Sequence, residues 1–224
     1  MNINNKLKLD FLGHSGFIIT LQNGKSIAID PYNIPNNLPK VEFMLITHSH
    51  YDHCSIKDIS KLVKKKTLIL IPANAQSKIA RIKDIDMQII EVGNEIQIGS
   101  IRFEATFAYN LNKKFHPKSE GWLGYIIKYE NIIIYHAGDT DAIPEMKKLT
   151  GYGKIGNIFI ALLPVSGTYV MDAEEAAGIA AVIKPAIAVP MHYGAGVAGT
   201  LSDAEKFVSL CKTKGIQAEI LEKI

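Results

Sequence analysis

Val41-Glu42-Phe43-Met44-Leu45-Ile46-Thr47-His48-Ser49-His50-Tyr51-Asp52-His53 is the stretch on which the reading of this chain turns. Residues 41–46 are a short apolar run, the mark of a strand buried on both faces. That strand runs straight into three histidines and an aspartate within six positions, which takes three of the chain's seven histidines. Ser55 then caps a helix predicted over residues 55–66, with Ile56, Ile59, Leu62 and Val63 on one side. Strand ends are where α/β proteins present functional side chains. His48 and His50 are two apart, so in an extended loop they point the same way. Asp52 and His53 fall at the turn into the helix and can reach a neighbouring point. One loop can thus supply two pairs of ligands to two adjacent cations. Imidazole suits zinc, iron, nickel and copper, and a carboxylate extends the choice to manganese. A merely polar loop is the competing explanation, and the density of histidine argues against it.

Outward from this loop the chain is rich in strands. Before it, Leu7, Leu9 and Phe11 alternate with polar residues, and runs at 17–21 and 26–30 flank Asn23-Gly24, a strong hairpin signal. After it come expected strands at 67–71, 88–92, 95–98 and 101–107, with a short helix near 75–82. Residues 123–129 and 132–135 read as a hairpin about Glu130-Asn131, and 158–163 and 186–189 as buried strands. Asp172 with Glu175, and Ser202 with Glu205, have capping-box spacing, so helices are predicted to about Ile183 and up to Gly215. Residues 216–221 are expected to close as a strand. Two sheets packed together with helices outside would satisfy this pattern.

Two later strand ends resemble the first. Residues 132–135 lead into His136-Ala137-Gly138-Asp139-Thr140, and 186–190 into Met191-His192-Tyr193-Gly194. Asp139 and His192 are the remaining ligand candidates, and a carboxylate such as Asp139 could bridge two metals. Alone, Asp139 could equally be a turn cap and His192 a buried structural histidine.

Composition bounds the rest. The chain has 224 residues, 47% hydrophobic and 21% charged, with net charge +3. That suits a globular protein and is too weakly basic to argue for nucleic acid without a basic cluster. Lys61, Lys64, Lys65 and Lys66 are read as a helix end favoured by the dipole. Cys54 and Cys211 make no disulfide framework. No apolar run approaches the ~20 residues of a membrane span, so a cytoplasmic protein with a small-molecule substrate is expected.

The loop THSHYDH resembles the His-X-His-X-Asp-His signature of the metallo-β-lactamase superfamily. YHAGDT and PMHYG resemble its later aspartate and histidine motifs, in the same order. GHSGF, IDPY and LLPVSGTYVMDAEEAA are similar to its UlaG-like branch. The resemblance covers essentially the whole chain. It implies one domain over residues 1–224, an α/β four-layer αββα sandwich of two mixed sheets face to face with helices outside. It implies one or two divalent metal ions, zinc first, with manganese or iron as alternatives. Carried over, His48 and His50 would hold one metal, Asp52, His53 and His192 the second, and Asp139 would bridge them. Asp30 and His14 match motifs near the site and would orient ligands or face substrate. His136 is expected to support rather than ligate.

The superfamily commonly has a further histidine before the aspartate motif. Here that place reads Ala105-Thr106-Phe107-Ala108-Tyr109-Asn110. Either His116, a little further on, replaces it, or Asn110 or water completes a weaker site. His116 is favoured, because tight sites commonly need three protein ligands; a surface His116 beside Pro117 is the plain alternative. The expected activity is hydrolysis by metal-activated water, with Asp52 or Asp139 taking its proton. A small anionic ester, lactone or phosphodiester is expected, with Lys113, Lys114 and Lys118 as weak support. A metal-dependent nuclease, a metal-centred oxidoreductase and a non-catalytic metal-binding protein are the rivals.

Overall fold

Residues 1–154 and 156–224 are described by the structure, a computed structural model. They form two compact units, residues 1–90 with 221–224, and residues 91–220. In the first unit β1 (Asn2–Ile3), β2 (Leu7–Gly13), β3 (Gly16–Leu21), β4 (Ser26–Ile29), β5 (Phe43–Leu45), β6 (Thr67–Ile71) and β7 (Ile85–Ile89) form one sheet in that order. The strands from β1 to β4 pair antiparallel, the later ones parallel. Asn23-Gly24 turns the β3–β4 hairpin as its composition predicts, with Gly24 at φ 81°. Buried Leu12, Ile18, Ala28, Met44 and Ile69 pack in one cluster with Ile59 and Leu62 of α1 (Ile56–Leu62) and Ile79 of α2 (Gln76–Ile79).

In the second unit the order is β13 (Ile187–Met191), β12 (Ile158–Pro164), β11 (Ile132–His136), β10 (Leu123–Tyr129), β9 (Ile101–Phe107) and β8 (Glu95–Ile98). The strands from β8 to β11 pair antiparallel, and β11, β12 and β13 parallel. Helix α3 (Ala173–Ile183) packs on β12 and α4 (Leu201–Thr213) on β13. Two mixed sheets, each with helices against it, are consistent with the αββα layering implied above. Among the described residues no helix is long and apolar enough to cross a membrane.

Several expectations shift. Ser55 caps α1 as predicted, but the helix ends at Leu62, with Val63 extended. Lys61 therefore lies in its last turn, while Lys64 to Lys66 lie beyond it. The strand expected at 88–92 begins at Ile85, because left-handed Asp84 (φ 61°) starts the chain on its parallel pairing with β6 earlier. Asp172 and Glu175 make the predicted capping box, both hydrogen bonds present. The last helix begins two residues early: the Asp203 carboxylate accepts from the Thr200 backbone N–H (2.7 Å) and hydroxyl (2.9 Å). Residues 216–221 do not close as a strand. Only isolated bridges form, Ala188 with Ala218 and Phe11 with Lys223, because the chain leaves one sheet's edge before a ladder builds.

Asp58 ties α1 to the extended loop before β5. Its carboxylate accepts from the backbone N–H of Asn33 (3.0 Å) and Ile34 (3.3 Å), from Ser55 Oγ (2.7 Å) and from Lys61 Nζ (2.8 Å). Burial alone would raise its pKa; the bonds from Lys61, Ser55 and the two backbone N–H groups outweigh it and hold the pKa below the usual 3.8. Asp58→Ala leaves buried donors without an acceptor, an expected loss of about 2–4 kcal/mol. The sign of the pH effect follows from the lowered pKa. This stability is present above about pH 4 and lost as pH falls through the folded-state value. Urea unfolding at pH 7 and pH 3 checks it: the gap between wild type and variant should be smaller at the lower pH.

Candidate metal centre

Nearly every candidate side chain leaves the carboxyl end of a strand. Asp30 follows β4, His48 follows β5, Asp139 follows β11, Ser166 follows β12 and His192 follows β13. Those strands run parallel to a neighbour, and such ends collect side chains at one edge of a sheet. The cost is backbone strain. His14 (φ 55°), Asp30 (φ 40°), His116 (φ 58°) and His192 (φ 62°) are all left-handed without being glycine. Each such residue costs of order 1–3 kcal/mol, tolerated where the surroundings over-determine it. Gly138 beside Asp139 must be glycine: at φ 66° an added Cβ would lie 2.4 Å from the Leu123 carbonyl oxygen.

In the first unit the buried carboxylate of Asp30 organises the loop. It accepts from the Thr47 backbone N–H at 2.9 Å, from the Thr47 hydroxyl, and from His53 Nδ1 at 2.8 Å. The Thr47 hydroxyl proton is spent on Asp30, so Thr47 Oγ1 accepts from His48 Nδ1 at 2.9 Å. Both imidazoles therefore carry their proton on Nδ1, and Nε2 holds the lone pair a cation needs. His53 Nε2 lies 3.6 Å from Asp52 Oδ2, and His48 Nε2 lies 3.1 Å from His50 Nδ1. His14 differs: its Nε2 meets Asp52 Oδ2 at 2.9 Å, which makes it a donor orienting that carboxylate. Cys54, next in the chain, stays a thiol; burial first, then the Asp30 charge, pushes its pKa up to about 12.

In the second unit His116 Nε2 and His192 Nε2 each lie 3.1 Å from Asp139 Oδ2. His116 Nδ1 donates to the Tyr169 carbonyl at 3.1 Å, and His192 Nδ1 meets Ser166 Oγ at 2.9 Å. The alternative of a surface His116 fails, since the residue is 2% exposed. Asn110 is a clamp. Its Nδ2 donates to the carbonyls of Phe115 (2.8 Å) and Tyr169 (2.6 Å), and its backbone N–H to that of His116 (2.8 Å). His136 is buried, and its Nδ1 accepts from the Gly138 N–H at 3.2 Å, a bond that shapes the turn. Two of the three lysines expected to draw an anion are spent: Lys113 pairs with Asp141 and Lys118 with Glu145 at 2.8 Å. Sequence reasoning missed Ser166. Its signal was Val165-Ser166-Gly167 at the end of an apolar run.

The donors fit a divalent cation. Ligands about 2.1 Å from a tetrahedral zinc stand about 3.4 Å apart, and the Nε2-to-carboxylate separations of 3.1 and 3.6 Å bracket that value. Within the first unit, His14, Asp52 and His53 offer ligand atoms within 4.8 Å of one another, as do Asp30, His48 and His53; in the second, so do His116 and Asp139. The described residues thus carry His/Asp clusters able to hold metal.

Comparison with known proteins agrees. The family model described as a β-lactamase superfamily domain matches residues 8–192. The chain is similar to a UPF0173 metal-dependent hydrolase of Nanoarchaeum equitans, 32% identical over 97% of both chains. It is 33% identical to another from Thermoplasma acidophilum, over 96% of both. Among solved structures, a protein of Parabacteroides distasonis assigned as a metal-dependent hydrolase superposes with TM-score 0.81. It is 32% identical and covers 96% of this chain and 94% of that one.

Proposed function

The chain belongs to the UPF0173 metal-dependent hydrolases of the β-lactamase superfamily, and on that premise we propose that its His/Asp residues hold one or two divalent cations, two when fully loaded, and that it hydrolyses a small ester, lactone or phosphodiester. We assign His48, His50 and His116 to one ion, Asp52, His53 and His192 to the other, and Asp139 to both. Zinc is the first choice for four imidazole-rich donors of this kind. GHSGF and IDPY further support a place beside the UlaG-like branch.

The observation that carries this reading is the direction of the imidazoles. His48, His53 and His116 each spend Nδ1 on an oxygen of the protein and turn Nε2 toward the cluster. Cations held there would supply an acidified water and polarise the carbonyl or phosphoryl oxygen next to the atom under attack. The chain's own part is to place groups. Asp52, held at Oδ2 by His14, is the carboxylate that receives the proton released as water adds. Asp139 keeps His116 and His192 convergent on one oxygen. Asp30 keeps His53 and, through Thr47, His48 in their ligating tautomers.

Two measurements test the proposal. Elemental analysis of the purified protein should find close to two equivalents of a divalent metal, and a screen of lactones, phosphodiesters and thioesters should find turnover that a chelator removes. A metal-free protein that no divalent ion restores would end the reading. His116→Ala should lower bound metal from about two equivalents toward one. Unchanged metal content in that variant would return the third place on the first ion to another group.

A further inference from the structure

The loop that carries His116 has a second face. Left-handed His116 turns its imidazole inward, while the preceding Phe115 stays 48% exposed and Leu111, at the other end of the loop, 52% exposed. The Phe115 ring stands edge-on to Tyr169, centroids 4.7 Å apart and planes at 76°. The Tyr169 carbonyl in turn accepts from His116 Nδ1 and from Asn110 Nδ2. One carbonyl therefore fixes both a candidate ligand and the aromatic pair beside it. Among the described residues eight large apolar side chains are exposed, and two of them, Phe115 and Leu111, fall on this one short loop. Singly such residues mean nothing; grouped on the loop of a candidate ligand, they mark a surface that meets an apolar group.

Charge points the same way. Lys113 is held by Asp141, donates to the Val170 carbonyl at 3.0 Å and lies 3.8 Å from Glu175. Lys118 is paired with Glu145 and lies over the rings of Phe107 and Tyr109, 4.7 and 4.5 Å from their centroids. The loop keeps Lys114 exposed but has no cationic pair to grip a phosphate or a second carboxylate.

We propose that Phe115, Leu111 and Tyr169 form an acyl-binding shelf, and that the substrate is an uncharged carboxylic ester or thioester with an apolar acyl group of several carbons. This rests on the hydrolase reading above. Water adds to the acyl carbon, the acyl C–O or C–S bond breaks, and the products are a carboxylic acid and an alcohol or thiol. No oxidant or reductant enters.

The test uses the metal-loaded protein and p-nitrophenyl esters from acetate to octanoate. A fully buried methylene is worth about fourfold, so a shelf that covers one side should give about twofold in kcat/KM for each methylene, roughly 60-fold across the six added from acetate to octanoate. Phe115→Ala should compress that span below about tenfold and Phe115→Leu restore part of it. Leu111→Ala should compress it less. Calorimetric binding of acetate, butyrate, hexanoate and octanoate to the same proteins gives a readout independent of turnover. The hexanoate ester should also outpace its counterpart ending in a second carboxylate. Hydrolysis of the acetate ester with no chain-length dependence in rate or binding, an undiminished dependence in Phe115→Ala, or a faster dicarboxylate would overturn the shelf while the hydrolase stands. Inert esters with octanoate still bound more tightly than acetate, and that preference lost in Phe115→Ala, would keep the shelf and sink the hydrolase. Absence of both turnover and chain-length preference overturns the shelf as well.

Discussion

Asp139→Ala should leave the protein folded, reduce bound metal below one equivalent and lower hydrolysis by at least about 10³-fold, the scale seen when a group that organises charge at a reacting centre is removed. One carboxylate oxygen stands 3.1 Å from both His116 Nε2 and His192 Nε2. Without it two buried imidazoles, one assigned to each ion, lose the carboxylate they share. Asp139→Asn separates charge from shape. Its amide is nearly the same size but neutral, and it should still lose most of the metal. Elemental analysis after dialysis, circular dichroism and the substrate screen are enough to judge both variants. Full metal content in either would remove Asp139 from the ligand set. Retained metal with lost turnover would move it to proton handling alone.

Asp30→Asn should weaken metal by about 10–100-fold, the usual cost of losing a partner that orients a ligating histidine. It should also cost about 2–4 kcal/mol of stability, since one buried carboxylate accepts from the Thr47 N–H, the Thr47 hydroxyl and His53 Nδ1. Asparagine is the informative replacement because Asp30 sits at φ 40°, a conformation asparagine tolerates better than alanine. The amide still accepts from one donor, but its NH2 faces another. The tautomers of His53 and His48 then lose their definition. Titration against a chromophoric chelator and urea unfolding of the metal-free protein measure the two effects separately. Wild-type affinity in a destabilised variant would confine Asp30 to folding.

The sequence alone carried the chemistry's inventory. Three histidines and an aspartate in six positions after a buried strand name a metal loop, since few structural needs call for that density of imidazole. The hairpin at Asn23-Gly24 and the box of Asp172 with Glu175 were equally legible, because each is completed by residues a few positions apart. Where long-range partners decide, local pattern misleads. Residues 216–221 have a strand's composition but find no ladder, and the start of β7 follows its parallel neighbour rather than its own apolar run.

Tertiary structure alone decided which way each imidazole faces. The sequence left His116 open between a ligand and a surface residue beside Pro117; it is buried, and Tyr169, 53 residues away, supplies the carbonyl for Nδ1. Asp30 lies 23 residues before His53, and Ser166 lies 26 before His192. A tautomer is set by the atom across the hydrogen bond, and no local spacing encodes where that atom will be.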